Sequence, residues 1–168
     1  LTNTVWKGAD LRDVIRDQLR LGPIDESRFT AWGPPVRMPP QLVQHVALML
    51  HELGTNSCKY GALSTEKGWI TINWAVEDTL LRLKWVEQGG PAVSAPIKRG
   101  FGTTLIEQSA RSEGGEARMS IEARRISWNI AIPLPPDVPS LEAGPATQTL
   151  IKVEPPDGDS TRAMAGAR

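Results

Sequence analysis

The sequence predicts an α/β sandwich: one layer of mostly antiparallel sheet with helices on one face. Two observations carry this. Residues 69–87 and 117–132 each hold two alternating apolar–polar runs joined by a short turn, the pattern of a β-hairpin. Three other stretches, around residues 9–21, 41–60 and 103–112, have the spacing or the boundaries of helices. Hairpins that bury one face need helices to cover it, and a two-layer packing satisfies both.

Taken in order, ADLRDVIRDQLRL (residues 9–21) places Leu11, Val14, Ile15 and Leu19 on one helical face and is ended by Gly22-Pro23. Arg28–Trp32 and Val36–Met38 read as short strands around the turn Gly33-Pro34-Pro35. Gln41–Tyr60 reads as a long helix, with Pro39-Pro40 at its entrance and Gly61 at its exit. Trp69–Val76 and Leu80–Glu87 form the first hairpin across Glu77-Asp78-Thr79. A helix from about Thr103 to Ser112 follows a loop rich in Gly and Pro, and Ala117–Arg124 with Ile126–Ile132 makes the second hairpin. After Pro133 the composition turns to Pro, Ala, Gly, Ser and Thr, with one short apolar patch at Leu150-Ile151. Residues 135–168 are therefore expected to be a flexible tail.

A chain of 168 residues suits one domain with a core of its own. Nineteen basic and nineteen acidic residues balance, so net charge recruits neither nucleic acid nor an anionic membrane. The apolar runs are too short to span a bilayer, residues 1–20 lack a signal-peptide pattern, and no direct membrane contact is expected. The single cysteine, Cys58, excludes an internal disulfide and a cysteine-based zinc cluster, which fits a reducing cytoplasm. Leu1 in place of Met predicts a piece of a longer protein.

The chemistry concentrates in HELGTNSCKYGALS, residues 51–64. At about 100° per residue, Glu52, Asn56 and Lys59 share a narrow stripe, with Tyr60 at its edge. Val43, Val46, Leu50 and Leu53 take a different, apolar face. A carboxylate can orient or deprotonate a nucleophile, an amide oxygen suits Mg²⁺, and an ammonium can pair with phosphate. Further on, WVEQGGP (residues 85–91) sets Glu87 at a strand end before Gly89 and Gly90, where it can accept a hydrogen bond from an exocyclic amine. RGFGTTLIE (residues 99–107) is a Gly-x-Gly turn opening a helix, a start that favours phosphate.

In this order and spacing, HELGTNSCKYGALS, WVEQGGP and GFGTTLI resemble the N, G1 and G2 boxes of the HWE-type sensor histidine kinases, a branch of the gyrase, Hsp90, histidine kinase and MutL ATPase superfamily. The family is named for a His in the N box and a Trp-x-Glu in the G1 box, here His51 and Trp85-Val86-Glu87. The resemblance covers about Trp6 to Leu134 and implies a Bergerat-type fold with ATP between the long helix and a short lid. It makes Asn56 the Mg²⁺ ligand, Lys59 a phosphate contact, Tyr60 a neighbour of the nucleotide and Glu87 the reader of the adenine amine. Gly89, Gly90, Gly100 and Gly102 would allow close backbone approach, with Phe101, Thr103 and Thr104 at the start of the following helix. Residues 91–99 would form the lid, bringing Lys98 and Arg99 near phosphate. Glu52 matches the general-base position; acting as a base toward histidine and orienting Mg²⁺-bound water are both open to it.

Other residues take plainer readings. His51 points about 100° away from Glu52 and is expected to make a structural hydrogen bond, and His45 is an ordinary helix residue. Cys58 reads as a partly buried small side chain, and Trp69, Trp74 and Trp85 as core. Family members carry upstream a two-helix dimerisation segment with the acceptor histidine, and Leu1–Val5 would be at most its end. The implied activity is transfer of the γ-phosphoryl of Mg-ATP to that histidine and on to a response-regulator aspartate. The piece would be monomeric and the intact kinase a homodimer. An anti-sigma-type serine/threonine kinase and a nucleotide-blind docking module on the same fold are the alternatives.

Overall fold

The computed structural model describes residues 8–22, 24–92 and 100–136, without the side chain of Phe101. A two-residue strand β1 (Ala9–Asp10) leads into helix α1 (Leu11–Leu21). Asp10 caps that helix by accepting the Arg12 N–H at 2.8 Å, and Leu11, Val14, Ile15 and Leu19 are its buried face. Strands β2 (Phe29–Trp32) and β3 (Arg37–Met38) precede the long helix α2 (Pro40–Tyr60). Strands β4 (Trp69–Glu77) and β5 (Leu80–Gln88), helix α3 (Phe101–Ser112) and strands β6 (Glu116–Glu122) and β7 (Arg125–Pro133) complete the domain.

The five-stranded sheet has the order β2-β4-β5-β7-β6, antiparallel except for the β2–β4 edge. Alternation in β4 and β5 sends Ile70, Ile72, Leu81, Leu83 and Trp85 inward, where they meet Leu50 and Leu53 of α2 in one core. α2 packs between α1 and α3. Each fully buried Leu or Ile of this kind contributes about 1.5–3 kcal/mol. No helix among the described residues is long and apolar enough to cross a membrane.

Two expectations change. β2 and β3 do not pair across Gly33-Pro34-Pro35; β2 runs parallel to β4, and β3 pairs with β1. Prolines cannot donate to a ladder, and Gly33 lies flat on the Trp74 ring while Trp74 Nε1 donates to the Pro34 carbonyl at 2.8 Å. The turn is thus anchored to the sheet through Trp74. Trp69 is not core: it sits one residue out of phase with Ile70, Ile72 and Trp74, and is 46 % exposed on the outer face. Trp74 and Trp85 are buried as expected.

Candidate functional site

A cavity of about 490 Å³ opens where the last turns of α2 meet the ends of β5 and the start of α3. That volume suits a drug-sized ligand. Asn56 and Tyr60 come from α2, Glu87 from β5, and Gly100, Gly102 and Thr103 from the α3 start. The helix ends at Gly61, whose N–H bonds to the Asn56 and Ser57 carbonyls at 3.2 and 3.0 Å. α2 thereby stops where its polar stripe reaches the cavity.

Glu87 is the chemical anchor of one end. It is only 4 % exposed, and its Oε1 accepts the Ala62 N–H at 3.2 Å. Burial pushes its carboxyl above the usual range, against the Ser57 hydroxyl and the Ala62 N–H, which favour the charge. The Trp85 indole N–H is fully buried and has no hydrogen-bond partner among the described residues. Beside Glu87 the floor is apolar: Ile126 is its cross-strand neighbour, and Met119 pairs with Trp128 on the next strands.

The other end is built around Gly102. A Cβ there would lie 2.7 Å from Glu52 Oε2 and 3.3 Å from both amide atoms of Asn56. A carboxylate and an amide therefore converge over the bare backbone of a helix start. Among the described residues no group of three or more His, Cys, Asp or Glu side chains could hold a metal ion. Mg²⁺ asks for less: one or two protein oxygens, with phosphates and water completing its shell. Glu52 and Asn56 fit that demand. Gly100, at the N-cap of α3, has open space where a side chain would stand.

The remaining predicted residues divide. Tyr60 lines the rim and is 72 % exposed; Thr103 is buried in the lining, and Thr104 is exposed with its N–H in the helix bond to Gly100. Lys59 is exposed and does not line the cavity. At Gly89 (φ +76°) the space of a side chain is filled by the Lys67 carbonyl, and at Gly90 by Ala62, so their close approach is to the chain's own backbone. Lys98, Arg99 and most of the expected lid lie outside the described residues. His51 is exposed on α2 and makes no hydrogen bond among the described residues, contrary to expectation. His45, expected to be an ordinary helix residue, is half-buried, and its Nδ1 meets the Glu113 carboxylate at the end of α3. Cys58 is half-buried with its thiol pushed up by burial, which fits an unreactive side chain.

Sequence reasoning missed Ser57, Gly61, Met119, Ile126 and Trp128. The hairpin alternation held a signal for the last three, since Met119, Ile126 and Trp128 share the inward phase of their strands. A second cavity, of about 450 Å³, lies between α1 and β2, but Arg12, Arg16 and Arg20 in its wall are already ion-paired to Asp10, Asp13 and Glu26.

Known proteins similar to this chain are histidine kinases. No family model matches the chain. A blue-light-activated histidine kinase of Erythrobacter litoralis is 40% identical over 111 residues, 64% of this chain and 31% of that protein. The blue-light-activated histidine kinase of Brucella abortus is 32% identical over 142 residues, 79% of this chain and 28% of its own length. The chain belongs to the HWE-type histidine kinase family. This histidine kinase domain spans less than a third of those two relatives. Its fold is also that of solved kinase domains. The histidine kinase domain of an Erythrobacter litoralis blue-light-activated kinase superposes with a TM-score of 0.61 at 17% identity, over 74% of this chain and 59% of that one. The catalytic domain of histidine kinase ThkA gives 0.58 at 16% identity, over 75% and 94%.

Proposed function

We propose that this domain binds Mg-ATP in the 490 Å³ cavity and presents the γ-phosphoryl group to a histidine on a separate dimerisation segment. From there the group would pass to a response-regulator aspartate. The observation that supports this best is the division of the cavity: a buried acceptor, Glu87, over an apolar floor at one end, and Glu52 with Asn56 over Gly102 at the other. A flat base with an exocyclic amine suits the first, and the phosphates suit the second.

In this reading Glu87 accepts from the adenine amine while Met119, Ile126 and Trp128 pack the ring. Asn56, with Glu52 beside it, holds Mg²⁺, which when bound neutralises phosphate charge. The bare backbone at Gly100 and Gly102 would approach the phosphates, and the positive charges of Lys59, Lys98 and Arg99 would favour them. As the histidine nitrogen bonds to the γ-phosphorus, the bond to the bridging oxygen breaks and ADP leaves; Glu52 would accept the histidine proton or orient Mg²⁺-bound water. Catalysis is then mostly positioning and charge neutralisation.

The acceptor must come from outside the described domain. His51 faces solvent on α2, and His45 is tied to Glu113. We take residues 6–134 as the domain, supported by Leu134, whose N–H bonds to the Thr79 carbonyl at 2.6 Å, and we assign it to the cytoplasm, as a monomer by itself within a homodimeric kinase. Calorimetry tests the nucleotide assignment. Asn56→Ala should remove most of the metal-dependent affinity for ATP, and Glu87→Ala should weaken ATP and ADP alike. Parent-like Mg-ATP binding by Asn56→Ala would end the metal assignment. With γ-labelled ATP, acid-labile label should appear only on an added two-helix segment and vanish with Asn56→Ala.

A further inference from the structure

We propose that Ser57 and Gly61 are positioning residues that aim the Glu87 carboxylate and thereby set the preference for adenine over an oxo-purine. The proposal rests on the reading of the cavity as an ATP site. Ser57 is fully buried, and its Oγ accepts the Leu63 N–H at 3.3 Å. Its own hydroxyl proton is then left to donate, and a buried donor needs an acceptor. The acceptor at hand is Glu87. Ser57 Cα lies 3.0 Å from the point where a Gly61 side chain would begin, and Glu87 Oε1 crowds that same point. The Ser57 hydroxyl also acts on Glu87 in the sense of a hydrogen bond to the charged carboxylate.

Gly61 makes the contact possible. Its φ of −106° is open to any residue, so conformational freedom is not the reason for glycine. Space is: a Cβ would collide with Glu87 Oε1. Ala62 then completes the seat by donating to the same oxygen. One turn, Ser57 to Ala62, thus holds a carboxylate that arrives from β5.

Aim matters because the ligand groups differ in sign. An exocyclic amine brings hydrogens to the carboxylate, whereas an oxo-purine sets a carbonyl oxygen against it. A site built to accept from one group rejects the other strongly only while its own acceptor is fixed.

The experiment is calorimetric titration of the full chain with ADP and with inosine diphosphate. The parent should prefer ADP. Ser57→Ala should weaken ADP about tenfold, the scale of one hydrogen bond, and leave inosine diphosphate unchanged. Gly61→Ala, which displaces the carboxylate sterically, should shrink the same preference even if Ser57→Ala does not fold. Equal losses for both ligands, or the parent's ratio kept in the variants, would overturn the proposal. If the parent bound neither diphosphate, the ATP reading itself would fall, and the proposal with it.

Discussion

Arg28 Nε and Nη2 both donate to the carbonyl oxygen of Gly68, at 3.0 and 2.8 Å. The same Nη2 reaches the carbonyls of Thr65 and Ala62. One guanidinium from just before β2 therefore gathers the segment that carries Ala62, and with it the hydrogen bond to Glu87. Arg28→Ala should cost about 1.5–3 kcal/mol, the scale of a hydrogen bond to a charged group, and weaken nucleotide binding in parallel. Urea unfolding and calorimetry on one preparation would check this; stability and affinity both at parent values would contradict it.

Glu87 should make the unliganded domain less stable as pH rises. Its folded pKa lies above the ordinary value of 4.5 because burial disfavours the charge. Between the two values the folded chain keeps a proton that the unfolded chain has lost. Stability falls through that window and stays lower above it. Glu87→Gln keeps the acceptor for Ala62, so it should be more stable than the parent at neutral pH while binding ATP less well. Denaturant midpoints on both sides of the window report the slope, which the substitution should flatten.

Gly102→Ala separates folding from binding. In the first turn of α3, alanine should be neutral or stabilising, by at most about 1 kcal/mol. Its methyl carbon would stand 2.7 Å from Glu52 Oε2, so Glu52 and Asn56 must move apart. Thermal stability should hold or rise while Mg-ATP affinity drops. Unchanged affinity would mean that the site over Gly102 is not where the phosphates lie.

Two tryptophans of adjacent strands should behave in opposite ways. Trp85→Ala empties a fully buried site and should cost about 3–5 kcal/mol. Trp69→Thr, on the exposed face, should stay within about 0.5 kcal/mol of the parent. Chemical denaturation distinguishes them directly.

Much of this was legible in the chain. Period-two alternation located both hairpins, and helical spacing with Pro39-Pro40 and Gly61 at the ends located α2. Glu52, Asn56, Tyr60 and Glu87 could be picked out only through the order and spacing of the three boxes, since the polar stripe alone also fits a solvated helix face. What was not legible depends on contacts between segments distant in sequence. Nothing in the sequence singles out Ser57, which only the fold brings close to Glu87, and Gly89 looked like a ligand-facing glycine until Lys67 filled its space. The partner of β2 was equally hidden, since neither Gly33 nor the prolines after it announce a parallel neighbour across α2.

That parallel pairing has a kinetic side. The β4–β5 hairpin closes through residues 78–79, whereas β2 meets β4 only after residues 33–68, including all of α2, have been threaded between them. Closure entropy comes due before the contacts that offset it, so β2 joins the sheet late. As a four-residue edge strand it is also an early element to open in partial unfolding. Arg28 stands immediately before it, so each opening carries the guanidinium away from the Ala62, Thr65 and Gly68 carbonyls. A strand that lines no part of the candidate site is thereby tied to it through Arg28, and hydrogen exchange at β2 should rise and fall with dissociation of nucleotide.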